Sequence, residues 1–286
     1  MKNFFYIIEF ILIKLFFFLL RCLGYKIGSN LGYIIGRIIG PIFRPKQLIK
    51  KNLKQSKIVD INNFNNIINN IYGNYGRILA EYPFLKDFRN NKLDKYISIE
   101  GLEILEQIKS NKTRAVFISG HFNNFELMAL QLEKAGIKLC AIYRPLNNIY
   151  LNRTMEEIRT KYICKNQIKK GRSGTRQIIE NLNEGNSVAL MIDQRVREGS
   201  KVKFFGNFAT TTTIPAQLIK KYKCELVPIY IERKDKYYFK MHISKPIKLS
   251  SKKSTEEITL FLNSVLEKMI LKNPEQWIWT HDRWKK

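Results

Sequence analysis

The chain is short of cysteine, histidine and tryptophan, and has fewer than half as many acidic residues as basic ones. Four cysteines in 286 residues (Cys22, Cys140, Cys164 and Cys224) are too few for a disulfide scaffold. None lies in a C-x-x-C pair or has a histidine at ligand spacing, so neither a metal site nor a cofactor is indicated. Isolated thiols suit the reducing, cytoplasmic side of a membrane. There is no G-x-S-x-G stretch, which removes the serine nucleophile elbow. No nucleic-acid motif occurs, and the Lys and Arg residues are spread rather than clustered with aromatic repeats, so nucleic acid is not the expected partner. The three histidines, His121, His242 and His281, leave few candidates for a base that works near neutral pH.

What is present is apolar residues, 45% of the chain, and a net charge of +26 from 50 Lys and Arg against 24 Asp and Glu. The first excludes a disordered protein and allows one large domain with an extension. The second calls for an anionic partner: an acidic membrane, a phosphorylated substrate or an acidic carrier protein. Residues 4–20, FFYIIEFILIKLFFFLL, approach the roughly 20 apolar residues of a membrane-spanning helix. Glu9 and Lys14 interrupt the run five positions apart, about 140° around a helix, so they do not pair with each other. A cleaved signal peptide fits poorly, since charges sit inside the run and no small-residue cleavage site follows. A membrane anchor or interfacial helix is the favoured reading, and a buried core helix the other. A second apolar run spans 34–43, and Arg21, Lys26, Arg37, Arg44, Lys46, Lys50 and Lys51 follow the first. These cations predict a cytoplasmic main body and attraction to anionic headgroups. The expected division is 1–45 for the membrane helices and 46–286 for the main domain.

Beyond this segment, 46–70 reads as surface helices, with an Asn-rich tract at 62–70, and 71–84 as an apolar helical face ending near Pro83. Strands are expected at 96–99, 114–119, 139–143, 187–192, 226–232 and 237–243. Helices are expected at 101–110, 125–135, 150–161, 174–184, 214–222 and 255–271. This alternation predicts an α/β layered domain with a largely parallel central sheet.

One stretch concentrates the chemistry: Gly120-His121-Phe122-Asn123-Asn124-Phe125-Glu126. A strand delivering a histidine into a loop that opens a helix places it beyond a strand's carboxyl end, where α/β sites gather. A carboxylate five positions on can orient the ring and balance the imidazolium. Asn123 and Glu126 also fit the two ends of a helix capping box, which gives Glu126 a purely structural alternative.

Further stretches accompany this one in order. They are Asn74-Tyr75-Gly76-Arg77-Ile78-Leu79-Ala80-Glu81-Tyr82-Pro83, Tyr143-Arg144-Pro145-Leu146-Asn147-Asn148, Asp193-Gln194, Phe204-Phe205-Gly206 with Ala209-Thr210-Thr211-Thr212, and Pro274 to Lys285. Together they resemble the lipid A late acyltransferase family, the lauroyl and myristoyl acyltransferases of lipopolysaccharide assembly, with its H-x-x-x-x-[DE], Y-R-P-x-x-N, F-F-G-x-x-A-x-T and closing P-E-Q-x-x-W-x-H-x-R-[WF]-K elements. The resemblance covers nearly the whole chain. One departure is His281-Asp282-Arg283, where many members read H-R-R.

The resemblance implies a glycerophosphate-acyltransferase-like domain at the cell inner membrane. It implies acyl transfer from an acyl carrier protein thioester to a hydroxyl of a lipid A precursor without a covalent acyl-enzyme. His121 would be the base and Glu126 its orienting carboxylate. Arg159 would serve an oxyanion or a phosphate, the alternative being a surface pair with Glu156. Asp193 would position an arginine or the acceptor, or else hold a turn. Arg144, Asn124, Gln194, Arg195 and Thr211 would contact substrate, although the threonines at 210–213 read equally as helix caps. Trp277, Trp279 and Trp284 suit either a bilayer interface or the core, and His242 and His281 read as structural. Competing functions are acyl transfer to a glycerolipid or glycosylated phospholipid, and a non-catalytic basic membrane-binding protein.

Overall fold

The computed structural model describes residues 2–58, 64–250 and 252–285. Residues 59–63, which include the start of the Asn-rich tract, lie outside the described residues. Helix α1 (Lys2–Leu23) and α2 (Tyr25–Phe43) are followed by α3 (Lys46–Ser56), α4 (Phe64–Glu81) and the short α5 (Leu85–Arg89). The main body alternates β1 (Ile97–Glu100), α6 (Leu102–Ser110), β2 (Ala115–Ser119), α7 (Glu126–Lys134), β3 (Leu139–Tyr143) and α8 (Ile149–Ile158). It continues with β4 (Asn166–Lys169), α9 (Arg172–Asn183), β5 (Ser187–Met191), a hairpin of β6 (Ser200–Phe204) and β7 (Asn207–Thr211), α10 (Ile214–Tyr222), β8 (Glu225–Lys234), β9 (Tyr238–Ile243) and α11 (Thr255–Lys272).

Seven strands form one sheet in the order β1-β9-β8-β2-β5-β3-β4. Only β8 and β9 run antiparallel; the other neighbours are parallel. The α/β reading with a largely parallel sheet therefore holds. Strand β2 is buried at every position, as a central strand covered on both faces must be. Strand β4 and the hairpin were not expected. β4 is an edge strand with one buried residue, Ile168, so it lacks an apolar run.

Helix α1 is not a core helix. Phe17 and Leu20 are buried, but Phe4, Phe5, Ile11, Leu12, Leu15 and Phe18 face outward. The 21 residues Asn3–Leu23 have a mean hydropathy of 2.1, apolar and long enough to cross a membrane. Of the two charges that interrupt this helix, Lys14 is exposed and Glu9 meets the main body. Glu9 accepts from the Asn148 side chain at 2.7 Å, and that Asn148 amide also reaches the Tyr6 carbonyl at 2.9 Å. Asn148 in turn caps α8, its side-chain oxygen accepting from Tyr150 and Leu151. Lower down, Arg21 pairs with Asp87.

Helix α2 packs on α4 at backbone distance. Gly28, Gly32, Gly36 and Gly40 recur every fourth position, on one face of the helix. A Cβ on Gly32 would stand 2.4 Å from that of Ala80, and one on Gly76 would stand 1.9 Å from the Gly32 carbonyl oxygen. A buried ionic group seals this contact to the sheet. Arg233 from β8 holds Glu81 through two bonds, at 2.6 and 3.1 Å. Ser29 donates to Glu81 at 2.7 Å, and Arg77 donates to Ser29 at 2.9 Å.

The glycine contacts give a contrast. Gly76→Ala forces backbone against backbone and is expected to lower stability by about 1–3 kcal/mol. Gly28→Ala meets nothing nearer than 3.4 Å and is expected to be neutral or to stabilise by up to about 1 kcal/mol through helix propensity. Thermal unfolding of the two variants in detergent measures the difference.

Candidate active site

Strands β2 and β5 are parallel neighbours, with Ser119 opposite Met191. Two residues beyond that pair, His121 and Asp193 leave the same carboxyl edge side by side. The His121 backbone N–H donates to Asp193 Oδ2 at 2.7 Å, and the ring Nδ1 meets Asp193 Oδ1 at 2.8 Å. The Trp277 indole N–H donates to Oδ2 at 2.9 Å. Gly120 leaves room for this approach: a Cβ there would lie 3.1 Å from Asp193 Oδ2 and 3.0 Å from both Phe122 and Leu266. Asp193 is fully buried. Burial alone would raise its pKa, but the His121 charge and the N–H donors of His121 and Trp277 outweigh burial and hold it below the ordinary 3.8. An ionised carboxylate only accepts, so the network assigns the proton to Nδ1 and leaves Nε2 as the basic nitrogen. His121 retains 20% side-chain exposure, and its ring meets the Phe125 ring edge-on at 4.7 Å.

The loop after His121 is tightly held. Asn123 adopts φ 43°, a left-handed conformation that Asn tolerates better than most residues. Its backbone N–H donates to the Gln276 carbonyl at 3.1 Å, and its side-chain amide donates to Gln276 Oε1 at 2.7 Å and the Ile231 carbonyl at 3.2 Å. Buried Asn124 donates to Glu81 Oε2 at 3.1 Å.

Glu126 is the first residue of α7, and no capping box forms with Asn123. It does not orient the imidazole either; Asp193 occupies that place. Glu126 instead accepts from Arg159 Nη2 at 2.7 Å and Nε at 3.0 Å, and from the Tyr82 hydroxyl. Arg159 Nη2 also reaches Tyr82 Oη at 3.2 Å, and the guanidinium lies over the Tyr143 ring, 5.6 Å from its centroid. The physical reason is charge: a guanidinium with 13% side-chain exposure needs a carboxylate, and Glu126 is the one beside it. Burial works against the cation, but Tyr82 and Glu126 prevail and hold Arg159 above the ordinary arginine value. Arg159 does not pair with Glu156, which accepts from Tyr143 and meets Lys169 at 3.3 Å. Arg159 opens a single π turn, Arg159–Ile163, where an α-helix to Lys161 was expected. Such turns are frequent at functional positions. Arg159 Nη1 has no hydrogen-bond partner among the described residues.

The remaining expected site residues divide. Arg144 is exposed, and Gln194 and Arg195 are half-buried beside Asp193. The Arg195 N–H donates to His281 Nε2 at 2.9 Å, and its Nε donates to the Lys285 carbonyl at 2.9 Å. Burial lowers the His281 pKa, consistent with a neutral ring accepting that bond. Thr211 is not open to a ligand: it is buried and takes a 2.6 Å bond from Arg283 Nη2. Trp277, Trp279 and Trp284 are core residues, not interfacial ones. Tyr82, Trp277 and Gln276 hold the site but were not expected as site residues: Trp277 was read only as interfacial or core, and the signal for all three was membership of the flanking stretches. Among the described residues no group of three His, Cys, Asp or Glu side chains gathers as a metal site.

Comparison with known proteins identifies the family. The sequence model of the bacterial lipid A biosynthesis acyltransferase family matches residues 2–286, so the chain belongs to that family and is an acyltransferase. It is similar to the lipid A biosynthesis palmitoleoyltransferase of Escherichia coli (strain K12), 26% identical over 219 residues, which are 73% of this chain and 68% of the relative. The lipid A biosynthesis lauroyltransferase of the same organism is 26% identical over 204 residues, 68% of this chain and 64% of the relative. The myristoyltransferase is 19% identical over 191 residues, 66% and 58% of the two chains.

Two measurements test the site's electrostatics. Arg159→Met strands the buried Glu126 charge and is expected to cost about 3–5 kcal/mol of stability, part of which is recovered when Glu126→Gln is added. Asp193 has a depressed folded pKa, so its contribution is fully present above the unfolded value of about 3.9 and is lost as pH falls through the lower folded value. The stability gap between the parent and Asp193→Asn should therefore persist above the unfolded value and close only under strongly acid conditions. Denaturant titrations across pH read both.

Proposed function

We propose that this chain transfers a fatty acyl group from an acyl carrier protein thioester to a hydroxyl, or a hydroxyacyl chain, of a lipid A precursor, with His121 as general base. The observation that carries this reading is the 2.8 Å contact between His121 Nδ1 and Asp193, with Nε2 left without a hydrogen-bond partner among the described residues. Nε2 takes the proton as the acceptor oxygen attacks the thioester carbonyl. The C–O bond forms, the tetrahedral oxyanion collapses, the C–S bond breaks, and the proton on Nε2 passes to the departing thiolate. Arg159, held by Glu126 and Tyr82, presents Nη1 to the oxyanion or to a substrate phosphate. In this reading Asp193 is the orienting carboxylate, and Glu126 acts through the arginine. Arg144, Gln194 and Arg195 remain candidate contacts for the acceptor, whereas Asn124, buried and bonded to Glu81, holds the loop instead.

The outward apolar faces of α1 and α2 support attachment to a membrane, with Ile27, Ile34, Ile38, Ile42 and Phe43 exposed on the second helix. The cations after α1 support the anionic inner membrane with the catalytic domain on its cytoplasmic side.

His121→Ala is expected to reduce acyl transfer at least ~100-fold while membrane association survives. Purified protein is supplied with labelled acyl carrier protein and separate acceptors, and the products are separated by chromatography. Unchanged transfer removes His121 from the mechanism, and product only on a glycerol phosphate overturns the lipid A acceptor.

A further inference from the structure

A cavity of about 1120 Å³ lies between α1 and α8, away from the His121 loop. Its α1 wall includes Lys14, Phe17 and Phe18, and its opposite wall is made by Ile158, Lys161 and Lys165. The charges in it are unequal. Arg21 is paired with Asp87, Arg89 with Glu133 and Arg153 with Glu157. The third acid, Glu156, is engaged by Tyr143 and Lys169. That leaves the ammonium groups of Lys14, Lys161 and Lys165, all exposed residues, with no carboxylate partner among the described residues, although the Lys165 backbone N–H donates to Glu133 Oε1 at 2.6 Å.

We propose that this groove holds one anionic glycerophospholipid drawn from the bilayer. The phosphodiester lies among Lys14, Lys161 and Lys165, and an acyl chain runs along Phe17, Phe18 and Ile158. Three observations favour this occupant. Three unmatched lysines complement one phosphate-bearing headgroup. The aromatic and aliphatic lining, with the stems of long basic side chains, suits a hydrocarbon chain. The α1 wall is continuous with an outward apolar face, Phe18 being 63% and Leu15 52% exposed, so a lipid enters sideways without crossing water.

The lipid would also touch the catalytic apparatus from behind. The π turn that offers Arg159 to Glu126 presents Thr160, Lys161 and Tyr162 to the groove. Filling the groove braces that turn and so positions Arg159. This second consequence rests on the proposed acyl transfer; occupancy of the groove does not.

The test uses the full chain purified in neutral detergent, with native mass spectrometry after addition of phosphatidylglycerol or phosphatidylcholine. One phosphatidylglycerol per chain should be retained in preference to phosphatidylcholine. Lys161→Glu/Lys165→Glu should lower that retention at least ~10-fold, and Lys161→Arg/Lys165→Arg should keep it. Lys14→Gln, on the opposite wall, should weaken retention separately, which keeps the test sound if the double variant folds poorly. Equal retention of the two lipids, or undiminished retention in the charge-reversed variants, overturns the proposal. So does a double variant that keeps phosphatidylglycerol but loses binding of acyl carrier protein, which would make the groove a protein dock. Where retention behaves as expected, phosphatidylglycerol should raise the transfer rate of the parent and not of the double variant. Failure of that arm alone removes the link to Arg159. Absence of any transfer by the parent, with lipid retention intact, bears on the proposed function instead.

Discussion

Asp193 is a carboxylate without solvent, and the site is arranged around settling its charge. Three N–H donors converge on it, two from His121 and one from Trp277. They come from two segments, the exit of β2 and the C-terminal tail, and meet on a third, the exit of β5 that carries Asp193. A buried charge with this many donors is stable only when all the segments are in place, because each donor removed leaves part of the desolvation cost unmet. The geometry of His121 is thus a product of the fold's closure and not of local sequence.

A second and a third charge pair flank this one. Glu81 with Arg233 joins the helical layer to the sheet, and Glu126 with Arg159 joins α7 to the π turn. The segment from Gly120 to Glu126 touches all three groups: His121 at Asp193, Asn124 at Glu81, and Glu126 at Arg159. Its left-handed Asn123 lets so short a stretch turn between them. Replacing such pairs with apolar side chains often costs nothing in stability, so their retention here is better read as fixing one loop conformation out of several.

Much of the frame was legible because central parallel strands advertise themselves as apolar runs, as Ala115–Ser119 does. Edge strand β4, reading Asn-Gln-Ile-Lys, has no such run, since it buries one side chain and takes its place from β3. The histidine was legible, but its partner was not. Spacing along the chain pointed to Glu126 five residues on, while the carboxylate that reaches the ring stands 72 positions away and arrives through the register of β2 on β5. The role of Tyr82 was equally hidden: a tyrosine beside a proline reads as the end of an apolar helical face, and only the return of α7 and the π turn puts a buried ion pair against its hydroxyl. Thr211 failed in the opposite sense, since hydroxyls ahead of a helix resemble an anion site until a buried arginine is seen to occupy one of them.

The two charges inside the N-terminal apolar run look, on a hydropathy plot, like defects in a membrane helix. In the fold Glu9 meets the cap of α8, and Lys14 opens onto the groove beside it. A purely apolar helix would be free to spin about its own axis and present any side to the protein. Here the Glu9–Asn148 and Arg21–Asp87 contacts choose which side of α1 meets the main body, so a helix proposed to tether the protein to a membrane would also act as a key, setting which way that body faces.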